Sequence, residues 1–466
     1  MNDFESGVSV ENVFKQCKQQ ANLIEIRFEE RIGSEIVVVN KNVETIKDIA
    51  ISGGNVSAFV SGGRGFVCFN DPKQIAKYCE QAIKQALLMD AELKKLSTRK
   101  PQTSLNVSPI EDVIKNDTDE NPLDISQREK IALMKEYTNL ILSFQGVRSA
   151  TVDYTDMMVH KHYFNSNGSN IEQEITRASI TALAVAKKGD IVEQAWAVNT
   201  SVGGFKIMRK LYDNMSETAR RVVNLLDAKT AKTKNCPVVL HPAFAGMFVH
   251  EAFGHLSEAD NLLRSKTLQR KMKIGTVVGN KVLNIVDQPT LRKSGCCSYD
   301  DEGIQHFRTV LVKEGKIDGR LHSCRTAMQM GENPTGNARA VDFGFPPIVR
   351  MSSTYIDEGD WTFEEMIENV REGVYLRLPR AGMTDMKGQF VLGSQESFQI
   401  EKGNIGSILR NVSIVGNVFN ALKNLEAIGN DLKLVDASCT KDGQAGLPVS
   451  YGGPHIKIKN MLVTGA

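Results

Sequence analysis

The chain lacks both an excess of charge and a long apolar run. Of its 466 residues 57 are basic and 55 acidic, which gives a formal net charge of +2. This balance gives no electrostatic reason to expect binding to nucleic acid or a membrane surface. The longest uncharged, mostly apolar stretch, near residues 178–186, is too short to span a bilayer. The polar first five residues predict no secretory signal, so we expect a soluble, cytoplasmic protein.

The chain also lacks cysteines in the CxxC spacing that is typical of metal and redox sites. The eight cysteines are scattered, and no two of them have the CxxC spacing. In a cytosolic chain we expect most of them to be reduced and buried. Cys296 and Cys297 are adjacent and would point to opposite faces of a strand, so they are not expected to share a metal. One of the eight can still be a ligand.

Strand-like and helix-like patterns cluster along the chain and do not alternate regularly. This arrangement predicts an α+β fold with two domains and mostly antiparallel sheets. We place an N-terminal α+β domain at residues 1–228 and a strand-rich C-terminal domain at residues 229–466. A helix that starts near Pro242, at the beginning of the second domain, carries the most informative motif of the chain.

Local signals predict individual elements. β-branched residues and glycine pairs favour strands, and capping residues and apolar periodicity favour helices. Strands are expected over 24–29, 35–41, 57–68 and 237–240, with antiparallel strands over 151–198 that turn at 165–169. Helices are expected over 72–96, after Ser126, over 205–226 and over 363–372. The polar, proline-containing residues 100–122 predict a surface loop.

Residues 250–255, His-Glu-Ala-Phe-Gly-His, place two imidazoles and one carboxylate within a short segment. In the zinc motif HExxH the histidines are four residues apart and lie about 40° apart around an α-helix. A spacing of five puts His250 and His255 about 140° apart on a regular helix. Either this is not a metal site, or the helix is locally widened. A π-bulge would restore the alignment, and Gly254 is where a distortion costs least.

A hydrolytic zinc site takes three protein ligands and leaves one position open for water. His250 and His255 could provide two of the three. The third could be Glu258, which lies three residues after His255, or the less well aligned Asp260. Cys439 is another candidate, because it lies in a polar, turn-like sequence where a cysteine is not obviously part of a core.

Glu251 directly follows the first histidine. In HExxH enzymes the glutamate at that place activates water and transfers its proton. The structural alternative is that both histidines are simply buried and hydrogen-bonded on an apolar segment. Four further residues could bind a carbonyl or carboxylate if folding brings them to the metal: Tyr299, His306, Arg325 and Arg339.

Five motifs in order resemble the TldD/PmbA family, whose members are often called modulators of DNA gyrase. They are residues 250–255 followed by Glu258 and Asp260, and then residues 299–303, 335–339, 347–351 and 439–444. The resemblance covers nearly the whole chain and points to the TldD branch. It implies a zinc-dependent metalloprotease in which His250 and His255 are the imidazole ligands, Cys439 is the thiolate ligand and Glu251 is the catalytic base. Residues 229–466 would then be the metallopeptidase domain.

The same resemblance implies partners and substrates. Members of the PmbA branch lack the metal motif and act as partners, so the alternative function is a non-catalytic dimer subunit or a peptide-binding regulator. The resemblance implies a homodimer, or a heterodimer with a PmbA-like subunit. It implies small or unfolded polypeptides as substrates, with no direct contact to nucleic acid or membrane.

Overall fold

The computed structural model describes residues 10–17, 19–96, 108–290 and 293–465. The first five residues, from which we predicted no secretory signal, lie outside the described residues, as do residues 100–107 of the predicted loop. The predicted α+β class with mostly antiparallel sheets is confirmed. Within the described ranges, no helix combines the length and the apolar character needed to cross a membrane.

The first sheet is built from residues before 203. As far as the structure describes the chain it has seven strands in the order β3-β2-β1-β5-β6-β4, and β7 also pairs with β6. Among the strands that the structure describes in this sheet, only β4 runs parallel to its neighbour. The strands are β1 (Leu23–Val39), β2 (Asn42–Val60), β3 (Gly63–Phe69), β4 (Glu111–Lys115), β5 (Val147–Asn165), β6 (Asn170–Lys188) and β7 (Ile191–Val202).

Several predicted boundaries in this sheet need correction. The strands predicted over 24–29 and 35–41 are one continuous strand, β1, because Gly33 does not break it. A Cβ on Gly33 would lie 2.1 Å from the carbonyl oxygen of Asp156, so glycine permits the close approach of β5. The strand predicted over 57–68 is divided by a turn between β2 and β3. Part of the predicted loop forms β4, which covers an edge of the sheet beside β6.

Some helices pack on this first sheet, and others lie in the second half of the chain. α3 starts where the Ser126 side chain accepts a hydrogen bond from the backbone N–H of Glu129, as predicted. The α-helices are α1 (Val10–Cys17), α2 (Ile75–Leu96), α3 (Gln127–Leu142), α4 (Tyr212–Leu225), α5 (Pro242–Val249), α6 (His255–Ser257), α7 (Ala259–Arg264), α8 (Lys266–Lys271), α9 (Cys324–Met330), α10 (Phe363–Glu368) and α11 (Val418–Lys423).

Strands dominate the second half of the chain. They are β8 (Lys229–Thr230), β9 (Lys234–Leu240), β10 (Ile285–Asp287), β11 (Thr309–Lys313), β12 (Lys316–Ile317), β13 (Ala338–Arg339), β14 (Ile348–Val349), β15 (Ser353–Ile356), β16 (Glu372–Thr384), β17 (Gln389–Glu401), β18 (Asn404–Arg410), β19 (Val412–Asn417), β20 (Leu425–Ile428), β21 (Lys433–Lys441), β22 (Gln444–Gly453) and β23 (Ile456–Gly465).

Two larger sheets emerge from these strands. One has the order β12-β11-β10-β15-β22-β21. In the other, β16, β9, β23, β19 and β17 pair in sequence, and β17 pairs back with β16 to close a ring. β18, β8 and β20 extend this second sheet. Helix α5 lies between these two sheets and contacts both of them.

Helix α5 packs against strands of both sheets, including β16 and β22. All eight of its residues are buried, which is what a helix that is apolar on every face requires. Gly246 allows the helix backbone to lie directly on β22, because a Cβ at this position would lie 2.6 Å from the Cα of Gly452. The helix therefore has a fixed position, and the histidine motif starts at its C-terminal end.

Candidate metal centre

The helix is widened where the two histidines lie. Residues His250–Gly254 form one turn of π-helix between α5 and α6. A π-turn absorbs one residue more than an α-turn, so it brings side chains five apart to the same face. The imidazole ring centroids of His250 and His255 are 5.1 Å apart. Of the two alternatives that the spacing left open, the locally widened helix is the one the structure confirms.

Gly254 is required for packing and not for an unusual backbone conformation. Its φ and ψ are −57° and −50°, ordinary values for a right-handed helix. A Cβ at Gly254 would instead lie 2.1 Å from the sulfur of Met351. The π-turn thus includes Gly254, but the reason we gave from the sequence is corrected: the glycine makes room for a neighbouring side chain.

The turn brings the two histidines to Cys439 on β21. One potential ligand atom from each of His250, His255 and Cys439 lies within 4.8 Å of the others. The sulfur of Cys439 is 3.5 Å from Nε2 of His255. His250 and Cys439 are buried and His255 is partly buried, so the structure brings all three predicted ligands together.

The donor set fits zinc. Tetrahedral bonds of about 2.0–2.1 Å to nitrogen and about 2.3 Å to sulfur place these two atoms about 3.6 Å apart, close to the distance between Cys439 and His255. Nδ1 of His250 is buried without a hydrogen-bond partner among the described residues. Two imidazoles and one thiolate suit zinc better than Mg²⁺ or Ca²⁺, which prefer oxygen.

Electrostatics favour a thiolate at Cys439. Burial alone would raise the pKa of its thiol, but the contacts with His250 and His255 outweigh burial and lower the pKa to about 5. A metal site needs the thiolate form of cysteine, because that is the form that binds.

Glu258 orients His255 from the other side of the ring. Its carboxylate lies 3.0 Å from Nδ1 of His255, which leaves Nε2 free to face Cys439. Glu258 is fully buried, and the ammonium of Lys441, 3.1 Å away, balances its charge. Burial alone would raise the pKa of Glu258, but Lys441 and His255 outweigh burial and lower it to about 2. The residue we weighed as a third ligand is thus placed as the hydrogen-bond partner of a ligand.

Glu251 lies on the π-turn and is half-buried. Gly382 of β16 leaves room for it, since a Cβ there would lie 3.2 Å from Cγ of Glu251. Tyr451 on β22 is a further neighbour that the sequence did not reveal. Its ring centroid lies 5.6 Å from that of His250, and burial together with the charge of Glu251 raises the pKa of its hydroxyl.

A cavity of about 810 Å³ adjoins this cluster. Met247, Ser438 and Tyr451, which neighbour the cluster in sequence or space, line it together with Arg177 and Trp196 of the first sheet. Its size matches the pockets that bind small molecules or short segments of chain. The cavity therefore lies between the first sheet and the elements that carry the histidines and the cysteine.

The four other candidate binding residues have partners elsewhere or point to solvent. The Tyr299 hydroxyl donates a hydrogen bond to Asp112, and Arg339 donates to the carbonyl oxygens of Met351 and Pro448. Arg325 is exposed, and His306 contacts Cys297.

Comparison with known proteins identifies the class to which this fold and site correspond. Residues 233–465 match the description "PmbA/TldA metallopeptidase C-terminal domain", residues 120–229 the central domain and residues 24–86 the first domain of the same metallopeptidases. The chain belongs to the PmbA/TldD family of metallopeptidases.

Several relatives are named metalloproteases. The chain is 34% identical to one from Methanothermobacter thermautotrophicus over 93% of both chains. It is also 34% identical to one from Synechocystis over 98% of both chains. A relative from Saccharolobus solfataricus, named a zinc metalloprotease TldD homolog, is 33% identical over 69% of this chain and 72% of its own length.

Solved structures share the fold at lower identity. TldE from Thermococcus kodakarensis aligns with a TM-score of 0.74 at 18% identity, over 98% of this chain and 100% of its own. A protein from Thermotoga maritima, named for modulation of a DNA gyrase, aligns with a TM-score of 0.74 at 18% identity. The alignment covers 97% of this chain and 99% of the other. These two similarities support the fold alone.

Proposed function

We propose that this protein is a zinc-dependent metallopeptidase that cleaves short or unfolded polypeptides. His250, His255 and Cys439 hold the zinc ion, and Glu251 is the catalytic base. The observation that carries the proposal is the π-turn, which turns both imidazoles towards a thiolate from a strand 184 residues beyond His255. A buried structural histidine pair would not require this irregular turn or the nearby thiol.

Bound zinc would supply Lewis-acid polarisation of the scissile carbonyl and would lower the pKa of water towards neutrality. Glu251 takes the proton of the attacking water and passes it to the leaving amine. Its position on the π-turn, directly after His250 and before His255, supports this role. Glu258 keeps Nε2 of His255 directed at the site by its hydrogen bond to Nδ1.

The cavity beside the cluster supports the choice of substrate. A space of about 810 Å³ admits a short extended segment and excludes a folded domain. Both apolar and charged side chains line it, among them Trp196 and Arg177. We therefore propose substrates that are unfolded when they enter.

Metal analysis and peptide cleavage together test the proposal. Purified protein should contain one zinc per chain at neutral pH and should cleave an unstructured peptide, and a chelator should abolish cleavage until zinc is restored. Cys439→Ser should lose zinc and activity together. Cys79→Ser is the matched control, because Cys79 is a buried cysteine in the core between α2 and the first sheet. This variant should retain both its zinc and its activity.

Glu251→Gln separates metal binding from chemistry. The variant should keep its zinc and lose at least 100-fold in kcat/KM, the loss typical when a general base is removed. Unchanged cleavage by this variant would remove Glu251 from the mechanism. Zinc that stays tightly bound in Cys439→Ser would overturn the ligand assignment.

A non-catalytic subunit is the alternative that the PmbA branch suggests. The cluster of His250, His255 and Cys439 argues against it, because a subunit without chemistry does not need three converging ligand atoms. We also propose that the protein forms a homodimer or pairs with a PmbA-like subunit, on the ground of family membership. Light scattering of the protein alone, and then mixed with such a subunit, distinguishes the two.

A further inference from the structure

A second cysteine–histidine pair lies outside the metal cluster. The sulfur of Cys297 is 3.1 Å from Nδ1 of His306. On the other side of the ring, Nε2 of His306 is 3.5 Å from a carboxylate oxygen of Asp287. Cys297 is partly exposed, whereas the side chains of His306 and Asp287 are fully buried. The three groups thus form a row that begins at a partly exposed residue and ends at two fully buried side chains.

The buried carboxylate is held firmly. Asp287 accepts hydrogen bonds from the backbone N–H and the hydroxyl of Ser352 and, at 2.6 Å, from the hydroxyl of Thr354. The amide nitrogen of Asn337 donates to Asp287 and to the carbonyl oxygen of Arg350, each at 3.0 Å, so both of its hydrogens are used. Nε2 of His306 is also 3.3 Å from this amide nitrogen, but an amide nitrogen cannot accept a hydrogen bond, so the N–H at Nε2 of a protonated His306 is directed to Asp287.

The surrounding charges favour a thiolate–imidazolium pair. Burial would raise the pKa of the Cys297 thiol and Asp301 also raises it, but His306 and Arg339 outweigh them and lower the pKa to about 7. Burial would lower the pKa of His306, but Cys297 and Asp287 outweigh burial and raise it to about 10. The neighbouring Cys296 has a pKa raised by burial, although it is also partly exposed.

We propose that Cys297 is a nucleophilic thiol that forms a mixed disulfide with low-molecular-weight disulfides, with His306 and Asp287 as its positioning residues. The thiolate sulfur of Cys297 attacks one sulfur of the disulfide, so that a new S–S bond forms and the original S–S bond breaks. Cys297 is oxidised and the departing half is reduced. The departing thiolate takes the proton from Nδ1 of His306, which leaves a neutral imidazole.

The 3.1 Å contact with His306 distinguishes Cys297 from the other partly exposed or exposed cysteines that the structure describes. The pKa values of Cys68, Cys296 and Cys324 are all raised, with burial as the largest cause. Because the thiolate is the reactive form, these three should react slowly at neutral pH. Cys439 also has a lowered pKa, but it is buried in the metal cluster. Cys297 is the partly exposed cysteine whose sulfur is paired with an imidazole, so it is the one expected to react first.

Oxidised glutathione is the probe, with mass spectrometry of the zinc-loaded full chain as the readout. Cys297 should acquire the adduct first, and a thiol reductant should remove it. At pH 7 Cys297 should react roughly fivefold to tenfold faster than an equally exposed cysteine with an ordinary pKa. A larger fraction of Cys297 is thiolate at this pH, but a thiolate of lower pKa is a weaker nucleophile, which offsets part of the gain. The rate should be half-maximal near pH 7, as the lowered pKa requires.

Variants of the two adjacent cysteines assign the adduct. Cys297→Ser should abolish it, and the matched control Cys296→Ser should retain it at the wild-type rate. His306→Gln should move the half-maximal pH of the reaction up towards that of an ordinary thiol, with a thermal melt as the check on folding. If Cys297 reacts no faster than Cys296 in the wild-type chain, or if its rate is still rising at pH 9, the proposal is overturned, whatever the fate of the variants.

Discussion

A single carboxylate, Glu258, orients one of the proposed zinc ligands. Replacement by glutamine keeps its shape but removes the charge that holds Nδ1 of His255. If the protein binds zinc as proposed, Glu258→Gln should weaken zinc binding about 10-fold to 100-fold, the usual effect of losing a partner of a metal ligand. Competition with a chelator of known affinity measures the change.

Asp260→Asn is the matched control for that substitution. Asp260 also pairs with Lys441, at 2.7 Å, and no hydrogen bond joins it to His255 in the described part of the chain. If the two variants weakened zinc binding equally, the loss would come from Lys441 and the orientation of His255 would be irrelevant. Retained affinity in Asp260→Asn alone supports the role given to Glu258.

The sequence was informative about residue types and less so about their roles. The roles of His250, Glu251 and His255 could be proposed from the sequence, because the three residues lie within one segment of six residues. The residues alone left the third ligand open between Glu258, the less well aligned Asp260 and Cys439. Only folding shows that Glu258 contacts the far side of His255, and no sequence signal pointed to Tyr451 beside His250.

At the scale of elements, the π-turn depends on the space at Gly254. Gly254→Ala would place a Cβ 2.1 Å from the sulfur of Met351, so the turn or the methionine must move. We expect a loss of about 1–3 kcal/mol in stability, as for other overpacked sites, together with weakened zinc binding. Chemical denaturation and metal titration measure the two effects.

Gly406→Ala provides the comparison for that change. Gly406 lies on β18, is exposed, and a Cβ there meets its nearest neighbour at an ordinary 3.4 Å. Its stability and zinc content should stay close to those of the wild type. If Gly254→Ala behaved in the same way, the close packing against Met351 would not be what shapes the turn.

The contact between α5 and β22 makes a separate prediction. Gly246→Ala would bring a Cβ within 2.6 Å of backbone at Gly452, which cannot rotate away as a side chain can. The helix must then move off the strand, so we expect a loss at or above the upper end of about 1–3 kcal/mol. The midpoint of urea unfolding reports it, and a midpoint equal to that of the wild type would contradict the packing described.

Elements were predictable where one local signal dominated. The turn at 165–169 joins β5 to β6, and the helix after Ser126 begins with the expected cap. The spacing alone left open whether the helix is widened or the residues bind no metal, because two imidazoles cannot share a metal at five residues on a regular helix. The resemblance to the TldD/PmbA family favoured the widened helix. The continuity of β1 through Gly33 could not be predicted from the sequence, because it depends on pairing with β5, which lies far along the chain.

At the scale of the whole molecule, Asp301 connects the two halves of the chain. Its carboxylate lies 3.0 Å from Arg27 on β1 and 2.6 Å from Lys161 on β5. Arg27 and Asp301 are both almost fully buried. Asp301→Asn would leave a buried guanidinium without its charge partner and should cost about 3–5 kcal/mol. Urea unfolding at pH 7 measures the loss.

Asp227→Asn is the control for a charge pair in solvent. Asp227 contacts Lys188 at 2.5 Å, but their side chains are 71% and 62% exposed. Exposed pairs contribute about 0–1 kcal/mol, so this variant should unfold almost as the wild type does. Equal losses in both variants would mean that burial of Asp301 is not what makes its pair important.

The same residue predicts how stability depends on pH. Burial would raise the pKa of Asp301, but Arg27 and Lys161 outweigh burial and hold it well below its usual value. The stabilisation is therefore present above the unfolded pKa of about 3.9 and is lost as the pH falls through the folded value. Between pH 4 and pH 2 the wild type should lose more stability than Asp301→Asn.

The ring of strands that holds α5 has a consequence for synthesis. β9 leads directly into α5, and its neighbour in the ring is β23, residues 456–465. Cys439, on β21, is likewise made long after His250 and His255. A nascent chain therefore lacks Cys439 until β21 has been made, and it lacks one of the strands that pair with β9 until β23 has been made, so the three ligand atoms meet only late in synthesis.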